Sequence, residues 1–245
     1  MKKIFLVLLL LFGSLFATTE KKVPTVVPIP WIKENLSNPN LVIVDLRKKE
    51  DYDKGHITGA VNMPGLDSLF EKDTWMMPKL DFLKELFSNA GINQDSLVVA
   101  YDNGDFFWAA RLYWILEVFG HENVGLSKYA YGKYMQDNLP ITTETSKPIR
   151  KEFIPRVDNN QIETKLSTLM AIGKKTIIDG REKSHFEGKE SVAKRFGHIP
   201  TAQNYSCTNN FQVSKDGNYM KEFDELKEVY KDLPKDKEIL LYCQG

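Results

Sequence analysis

The sequence is poor in cysteine and histidine. Its 245 residues contain two cysteines, Cys207 and Cys243, and four histidines. Two cysteines can form at most one bridge, which excludes a scaffold held together by several disulfides. The histidines are scattered and form no Cys/His cluster, so we expect no zinc site. The chemistry of each cysteine must therefore be judged from its local context.

An excess of charge of either sign is also lacking. Lysine plus arginine number 33, and aspartate plus glutamate number 33. A chain without net charge has no overall field to attract nucleic acid or anionic lipid, so we predict no nucleic-acid partner. The hydrophobic content of 42% is ordinary for a folded globular protein. Partners are therefore expected to be recognised at a local site.

Long apolar runs are missing except at the start, which reads MKKIFLVLLLLFGSLFA. Two lysines, a short apolar run and a small residue, Ala17, have the layout of a secretory signal peptide over residues 1–17. The run is short for a stable membrane span, although an uncleaved N-terminal anchor is the alternative. We expect a periplasmic or secreted mature chain without membrane contact, in a compartment where neighbouring cysteines can oxidise.

An internal repeat is the main feature of the chain. LVIVDLRKKEDYDKGHITGAVNM (residues 41–63) and TIIDGREKSHFEGKESVAKRFGHIPTAQNYS (residues 176–206) share an apolar run, Asp-x-Arg, an aromatic residue and Gly-His-Ile-x-x-Ala-x-Asn. Because these residues occur in both copies, we expect them to hold the fold through side-chain hydrogen bonds. The matched residues are Asp45, Arg47 and His56 in the first copy and Asp179, Arg181 and His198 in the second.

The repeat continues in SLVVAYDNG (residues 96–104) and EILLYCQG (residues 238–245). Each is a short apolar run typical of a strand, followed by a tyrosine and a turn with glycine. In the first copy, FFWAARLYWILEVFG follows with helical spacing and predicts a buried helix that ends at Gly120. Strand, turn and helix form a parallel α/β unit, whose ligands bind at the carboxyl ends of the strands. Asp102 and Cys243 therefore occupy equivalent positions.

The predicted fold class is α/β, with two tandem domains, each a mainly parallel sheet flanked by helices. Amphipathic segments predict helices at residues 80–90 and 221–231. A stretch rich in Thr, Pro, Lys and Glu separates the copies and is predicted to be a linker. The predicted boundaries are residues 23–140 for the first domain, 141–160 for the linker and 161–245 for the second domain. We refer to the two domains as the first and second repeat.

These motifs resemble the rhodanese-like sulfurtransferases of the two-domain thiosulfate or 3-mercaptopyruvate type. The resemblance rests on VDLR and IDGR, GHITGAVNM and GHIPTAQNY, AARLYWILEVFGHENV, and LYCQG, and it covers residues 23–245. It implies an inactive first domain and a second domain in which Cys243 carries a persulfide. The sulfur would come from a small donor and pass to a thiol or cyanide acceptor, without a metal or organic cofactor, in a monomer.

The residues support a reactive Cys243. A thiolate is the nucleophilic form of cysteine, and backbone N–H groups at a loop that leads into a helix stabilise it. The resemblance adds His185, Gln244 and Gly245 as substrate-binding residues. Many related proteins have an arginine at the position of His185, and a histidine is cationic only when protonated; a surface histidine is the alternative. We expect Cys207 to be structural or incidental, and the sequence does not exclude a bridge to Cys243.

The second domain is expected to be incomplete. After Asp102 the first domain runs on to about Pro140, whereas only Gln244 and Gly245 follow Cys243. We therefore expect a C-terminally truncated chain with impaired activity, because the N–H donors of the following helix are missing. The donor is left open between thiosulfate and mercaptopyruvate. The alternative function is a non-enzymatic rhodanese-like binding or sulfur-carrier module.

Overall fold

The computed structural model describes residues 22–72, 74–215 and 217–243. The predicted signal peptide, Gln244 and Gly245 lie outside the described residues. In the first repeat and the segment after it, the elements are β1 (Val26–Val27), α1 (Ile29–Asn35), β2 (Leu41–Asp45), α2 (Lys49–Lys54), β3 (His56–Ile57), β4 (Val61–Asn62), α3 (Gly65–Ser68), α4 (Leu80–Asn89), β5 (Leu97–Tyr101), α5 (Phe107–Val118), β6 (Val124–Ser127), α6 (Tyr131–Gln136) and β7 (Ile141–Thr142).

The second repeat contains a shorter set of elements in the described residues. They are α7 (Lys165–Ala171), β8 (Thr176–Asp179), α8 (Lys183–Phe186), β9 (Gln203–Asn204), β10 (Phe211–Gln212), β11 (Tyr219–Met220), α9 (Phe223–Val229) and β12 (Ile239–Tyr242), with a 3₁₀ turn at Cys207–Asn210. No helix among these described elements has the length and apolar content that crossing a lipid bilayer requires.

The first repeat is built on a five-stranded parallel sheet in the order β1-β6-β5-β2-β4. Apart from Asp45 at the end of β2 and Tyr101 at the end of β5, these two strands are apolar, and they lie near the centre of the sheet, as expected where helices cover both faces. One face packs against α4 and α5, and the other packs against α1 and α6. This arrangement brings the carboxyl ends of β2 and β5 together, with Asp45 opposite Tyr101.

The second repeat has a three-stranded parallel sheet in the order β12-β8-β9. The register pairs Tyr242 with Asp179, as Tyr101 pairs with Asp45 in the first repeat. On the face that corresponds to the one covered by α5, Ile239 and Leu241 are 45% and 67% exposed. The described part of the second repeat therefore has an open outer face on β12.

The predictions of fold and helices are confirmed. The segment predicted as a helix over residues 80–90 forms α4, and the one over residues 221–231 contains α9. The buried helix of the first repeat is α5, and the chain leaves it at Gly120, whose φ of 72° is in the left-handed region that favours glycine. Local periodicity was sufficient for α4, which buries one apolar side in the core of the first repeat, whereas α9 has no buried residue.

The segment between the repeats packs along the first repeat. Strand β7 pairs with β3, and the side chain of Phe153 is fully buried against Phe87 and Phe119. The N–H of Arg156 donates to the carbonyl of Phe119 over 2.8 Å. The polar composition that predicts a linker could not show this docking, because it depends on one aromatic side chain entering the core of the first repeat.

The hairpin of β10 and β11 joins the second repeat to the first. The N–H of Met220 donates to the carbonyl of Lys128 over 2.8 Å, and the N–H of Ala130 donates to the carbonyl of Asn218 over 2.9 Å. The amide of Asn218 also donates to the carbonyl of Gly104 over 2.8 Å. The hairpin therefore rests against the loop that follows β5, which is the loop of Asp102.

Candidate active site

In the first repeat, Asp45 at the end of β2 is fully buried and organises the carboxyl end of the sheet. The backbone N–H and the Nε of Arg47 donate to Oδ1 over 2.9 and 3.0 Å, and Nη2 donates to Oδ2 over 2.6 Å. The hydroxyl of Tyr101 donates to the same Oδ2 over 2.6 Å. Nη2 of Arg47 also reaches the carbonyl of Gly55 over 2.7 Å, which fixes the start of the Gly-His-Ile loop.

The second repeat contains the same network. The backbone N–H and the Nε of Arg181 donate to Asp179 Oδ1 over 2.9 and 3.0 Å, and Nη2 donates to Oδ2 over 2.6 Å. The hydroxyl of Tyr242 donates to Oδ2 over 2.6 Å. Burial opposes ionisation of Asp179, but the bonds from Arg181 and Tyr242 outweigh it and lower the pKa of this carboxyl. Burial and the same bond raise the pKa of Tyr242 to about 12.

The two histidines of the Gly-His-Ile motifs have matching contacts. Nδ1 of His56 bonds to the carbonyl of Tyr52 over 2.8 Å, and the two rings stack with centroids 3.5 Å apart. Nδ1 of His198 bonds to the carbonyl of Phe186 over 2.8 Å, and these rings stack with centroids 3.7 Å apart. Each histidine thus ties its loop to the short helix before it.

The position of the predicted nucleophile holds Asp102 in the first repeat. Its Oδ1 accepts N–H bonds from Gly104 and Phe106 over 2.8 and 3.2 Å, and Oδ2 accepts one from Ala109 over 3.2 Å. Burial and the charge of Asp105 raise the pKa of Asp102 to about 7, against the effect of these three donors. The loop into α5 therefore supplies N–H groups that converge on one acidic side chain.

Cys243 directly follows β12 in the second repeat, at the position that Asp102 has after β5. The carbonyl of Tyr242 accepts the N–H of Gly180 over 2.8 Å, and the carbonyl of Gly180 accepts the N–H of Cys207 over 2.9 Å. Cys207 and Cys243 therefore lie on either side of Gly180. Both cysteines are exposed and neither is in a disulfide.

The thiols of Cys207 and Cys243 interact. The hydrogen bond with Cys243, together with partial burial and the charge that Cys243 can carry, raises the pKa of the Cys207 thiol. From the sequence we expected Cys207 to be structural or incidental, because no basic residue lies close to it in the chain. The structure shows that its relevant neighbour comes from a strand that is distant in sequence.

His185, the predicted donor-binding residue, lies in the short helix α8. Its Nδ1 is 3.9 Å from Glu190 Oε2, and its side chain is one-fifth exposed. The carboxylate of Glu190 would repel an anionic substrate that approached the same imidazole. The described contacts of His185 join it to Glu190 rather than to a cysteine, so its role in donor binding stays a prediction.

A cavity of about 770 Å³ opens beside Cys207 on the outer face of β12. Its walls include Ile178 and Leu241 from the sheet and Tyr205 and Tyr230 from the surrounding segments. In the first repeat the corresponding face of the sheet is packed against α5. Small reagents therefore have room to approach the second repeat from this side.

Comparison with known proteins agrees with this architecture. The family model described as "Rhodanese-like domain" matches residues 29–137 and 163–245. The chain belongs to the rhodanese-like family.

Relatives of this family cover most of the chain. A protein from Synechococcus elongatus assigned as a thiosulfate sulfurtransferase is 31% identical over 93% of this chain and 74% of its own length. The sulfur carrier protein TtuD of Thermus thermophilus is 29% identical over 87% of this chain and 80% of its own length. The crystal structure of the 3-mercaptopyruvate sulfotransferase SseA from Escherichia coli has a TM-score of 0.76 and 26% identity, covering 89% of this chain and 88% of that one. The tandem rhodanese-like architecture is therefore shared along both repeats.

Two features of the rhodanese-like site were not predicted from the sequence. The tyrosines that end β5 and β12 were interpreted only as part of the strand pattern, although their hydroxyls bind the buried aspartates. A polar hydroxyl repeated at the end of both apolar runs was the available signal. The proximity of Cys207 to Cys243 was not predicted either, because the chain offers no local signal for it.

Proposed function

We propose that this chain is a sulfurtransferase that carries a sulfane sulfur as a persulfide on Cys243. The observation that carries the proposal is the placement of an exposed thiol directly after β12, at the carboxyl end of a parallel sheet. In the other repeat the equivalent loop directs three N–H groups onto an acidic side chain. The names of the relatives, which include a thiosulfate sulfurtransferase and a sulfur carrier, support the same chemistry.

The reaction has two displacement steps. The Cys243 thiolate attacks the outer sulfur of thiosulfate, the S–S bond of the donor breaks, and sulfite leaves with the bonding electrons. The product is a persulfide anion on Cys243. In the second step, cyanide or an acceptor thiolate attacks the outer sulfur and the Cys243 thiolate is restored. With 3-mercaptopyruvate as donor, its C–S bond would break and the carbon would leave with the bonding electrons as the enolate of pyruvate.

The aspartate network positions the nucleophile in this proposal. Tyr242 precedes Cys243, and its hydroxyl donates to Asp179 and accepts the N–H of Ile199 over 3.1 Å. Arg181 also donates to the carbonyl of Gly197 over 2.8 Å. The end of β12 is thus tied to the Gly-His-Ile loop. We propose Asp179, Arg181 and His198, with Asp45, Arg47 and His56 in the first repeat, as structural residues.

A single-turnover measurement of the adduct tests the proposal more directly than a steady-state rate. The persulfide on Cys243 is the intermediate that the proposal requires, and its formation can be followed without an acceptor.

The test is incubation with thiosulfate followed by intact-mass measurement and peptide mapping. The chain with Cys207→Ser should gain the mass of one sulfur atom on Cys243, and cyanide should remove that sulfur as thiocyanate. The matched control, Cys243→Ser, should gain none. The absence of an adduct in the first variant, or an equal adduct in the control, would contradict the proposal.

A sulfur carrier is the second candidate, because a relative that covers most of the chain is named a sulfur carrier protein. A carrier would form the same persulfide but release its sulfur to a particular protein acceptor. Persulfide that forms on Cys243 but does not react with cyanide or small thiols would favour the carrier over the enzyme.

The remaining proposals concern substrate binding and location. We propose His185, Gln244 and Gly245 as substrate-binding residues and a monomeric chain. We also propose export to the periplasm or the medium through a signal peptide at residues 1–17. Cell fractionation and the mass of the mature N-terminus test the export. A chain that keeps its N-terminus and stays in the cytoplasm would overturn it.

A further inference from the structure

The structure holds Cys207 and Cys243 together through the backbone of the second repeat. Strands β8 and β12 pair in parallel with Asp179 opposite Tyr242, and the next residue on each strand is Gly180 and Cys243. A Cβ built on Gly180 would lie 3.7 Å from the Cβ of Cys243. The N–H of Cys207 donates to the carbonyl of Gly180 over 2.9 Å from the other side. Strand pairing and this backbone bond therefore bring the two cysteines together.

The segment of Cys207 is itself fixed. Ser206 is buried, and its hydroxyl donates to Glu182 Oε1 over 3.0 Å. The same hydroxyl caps the 3₁₀ turn Cys207–Asn210 by accepting from the N–H of Thr208. Because the turn begins at Cys207, its side chain is directed by these bonds and by the bond to Gly180. An exposed cysteine on an unconstrained loop would not have such support.

The position of each thiol gives it a role. Cys243 directly follows β12, at the carboxyl end of the parallel sheet, so it is the member that attacks the donor. The interaction with Cys243, partial burial and the charge of Glu182 raise the pKa of Cys207, so this thiol supplies a proton once the persulfide has formed.

We infer that Cys207 is the resolving thiol of the Cys243 persulfide. This inference rests on the proposed function. The Cys207 sulfur attacks Cys243 Sγ, a Cys207–Cys243 disulfide forms, and the bond between Sγ and the outer sulfur breaks. The outer sulfur leaves with the bonding electrons and takes the Cys207 proton, so the product is hydrosulfide. The two cysteines are oxidised to the disulfide as the sulfane sulfur is reduced.

The reaction class would be the thiol-dependent reduction of sulfane sulfur. Thiosulfate and the two thiols of the chain give sulfite, hydrosulfide and the Cys207–Cys243 disulfide. An external dithiol must then restore the pair by thiol–disulfide exchange. Both cysteines are exposed and accessible to such a reductant.

The experiment benefits from the small number of cysteines, because loss of both thiols in a monomer can only be the Cys207–Cys243 bridge. The reduced chain is freed of reductant, treated with thiosulfate, and examined by thiol titration, sulfide assay and intact mass. The unmodified chain should lose both thiols, release one sulfide per chain and lose the mass of two hydrogen atoms. Cys207→Ser should keep the persulfide on Cys243 and release no sulfide.

A control variant separates the thiol from the turn that holds it. Thr208→Ala removes a hydroxyl that contacts Ser206 over 2.8 Å but leaves both cysteines in place, so it should still form the bridge. The inference would be overturned by a stable Cys243 persulfide in the unmodified chain or by transfer of the sulfur to Cys207. It would also be overturned if a non-reducing gel showed the disulfide only between chains. If Cys207→Ser forms no persulfide, the proposed function itself fails, which distinguishes the two results.

Discussion

The repeated tyrosine provides a direct test of how the two repeats are stabilised. Tyr101→Phe and Tyr242→Phe each remove one hydroxyl that donates to a buried aspartate over 2.6 Å. The aspartates keep their bonds to arginine in both variants. Each substitution also removes the acceptor of one backbone N–H, that of Ile57 over 3.4 Å or that of Ile199 over 3.1 Å, so the two deletions are matched. The two sites differ mainly in exposure, since Tyr101 is 1% exposed whereas Tyr242 is only partly buried.

The size of the effect follows from this difference. A hydrogen bond to a charged group contributes about 1.5–3 kcal/mol, and a buried group that loses its partner cannot turn to water. Tyr101→Phe should therefore lower the free energy of unfolding by about 2 kcal/mol. Water can reach the position of Tyr242 and replace part of the bond, so Tyr242→Phe should cost about 1 kcal/mol or less.

Urea unfolding at neutral pH, followed by circular dichroism, measures both values in the same chain. The expected order is a larger shift of the midpoint for Tyr101→Phe than for Tyr242→Phe, with an unchanged slope. Thermal unfolding should move in the same order. Equal costs, or a larger cost at Tyr242, would refute the reasoning that burial sets the strength of this bond.

Three further predictions concern the first repeat and the segment that packs along it. Burial lowers the pKa of His121 to about 4, below the value of about 6.5 in an unfolded chain. The free energy of unfolding should therefore be highest above pH 6.5 and fall by up to about 3 kcal/mol toward pH 4. Urea titrations at several pH values should show this dependence, and His121→Asn should flatten it. Phe153→Ala should cost about 3–5 kcal/mol in urea unfolding, since it empties a fully buried site. Gly104→Ala should cost about 2 kcal/mol or more by the same assay, because φ at this residue is +100° and the new Cβ would lie 2.5 Å from the Cβ of Ala130. The control is Gly132→Ala in α6, whose new Cβ meets no atom within 4 Å and which should be neutral or stabilising.

Much of the fold could be predicted because the sequence contains two copies of the same pattern. The shared Asp-x-Arg and Gly-His-Ile motifs aligned the repeats, and the apolar runs before Asp45 and Asp179 marked the central strands. Helices with one apolar side, such as α4, followed from periodicity. The docking of Phe153 did not, because a single aromatic residue in a polar segment carries no periodic signal.

The candidate site could be predicted only in part. Cys243 was placed at the end of a strand because the repeat aligned it with Asp102. The partner thiol was missed because the contact with Cys207 depends on the pairing of β12 with β8 and on a backbone bond to Gly180. Such non-local pairing is set by the assembled sheet, and no spacing along the chain reports it.

The two repeats share a structural hydrogen-bond network, here called the frame, but differ in the side chain available for reaction. Both repeats bind an aspartate with an arginine and a strand-ending tyrosine at nearly the same distances, so this network belongs to the frame. The residue after that tyrosine differs. Asp102 is 3% exposed beneath α5, and its carboxylate already accepts three N–H bonds.

An oxygen nucleophile buried in this way can neither meet a sulfur donor nor form a persulfide. Cys243 is exposed at the same position, with the cavity beside β12 open and a second thiol nearby. The shared hydrogen-bond network holds the end of the strand at the carboxyl edge of the sheet in both repeats. Under the proposed function, the identity of the next side chain and the access to it therefore decide which repeat can carry sulfur.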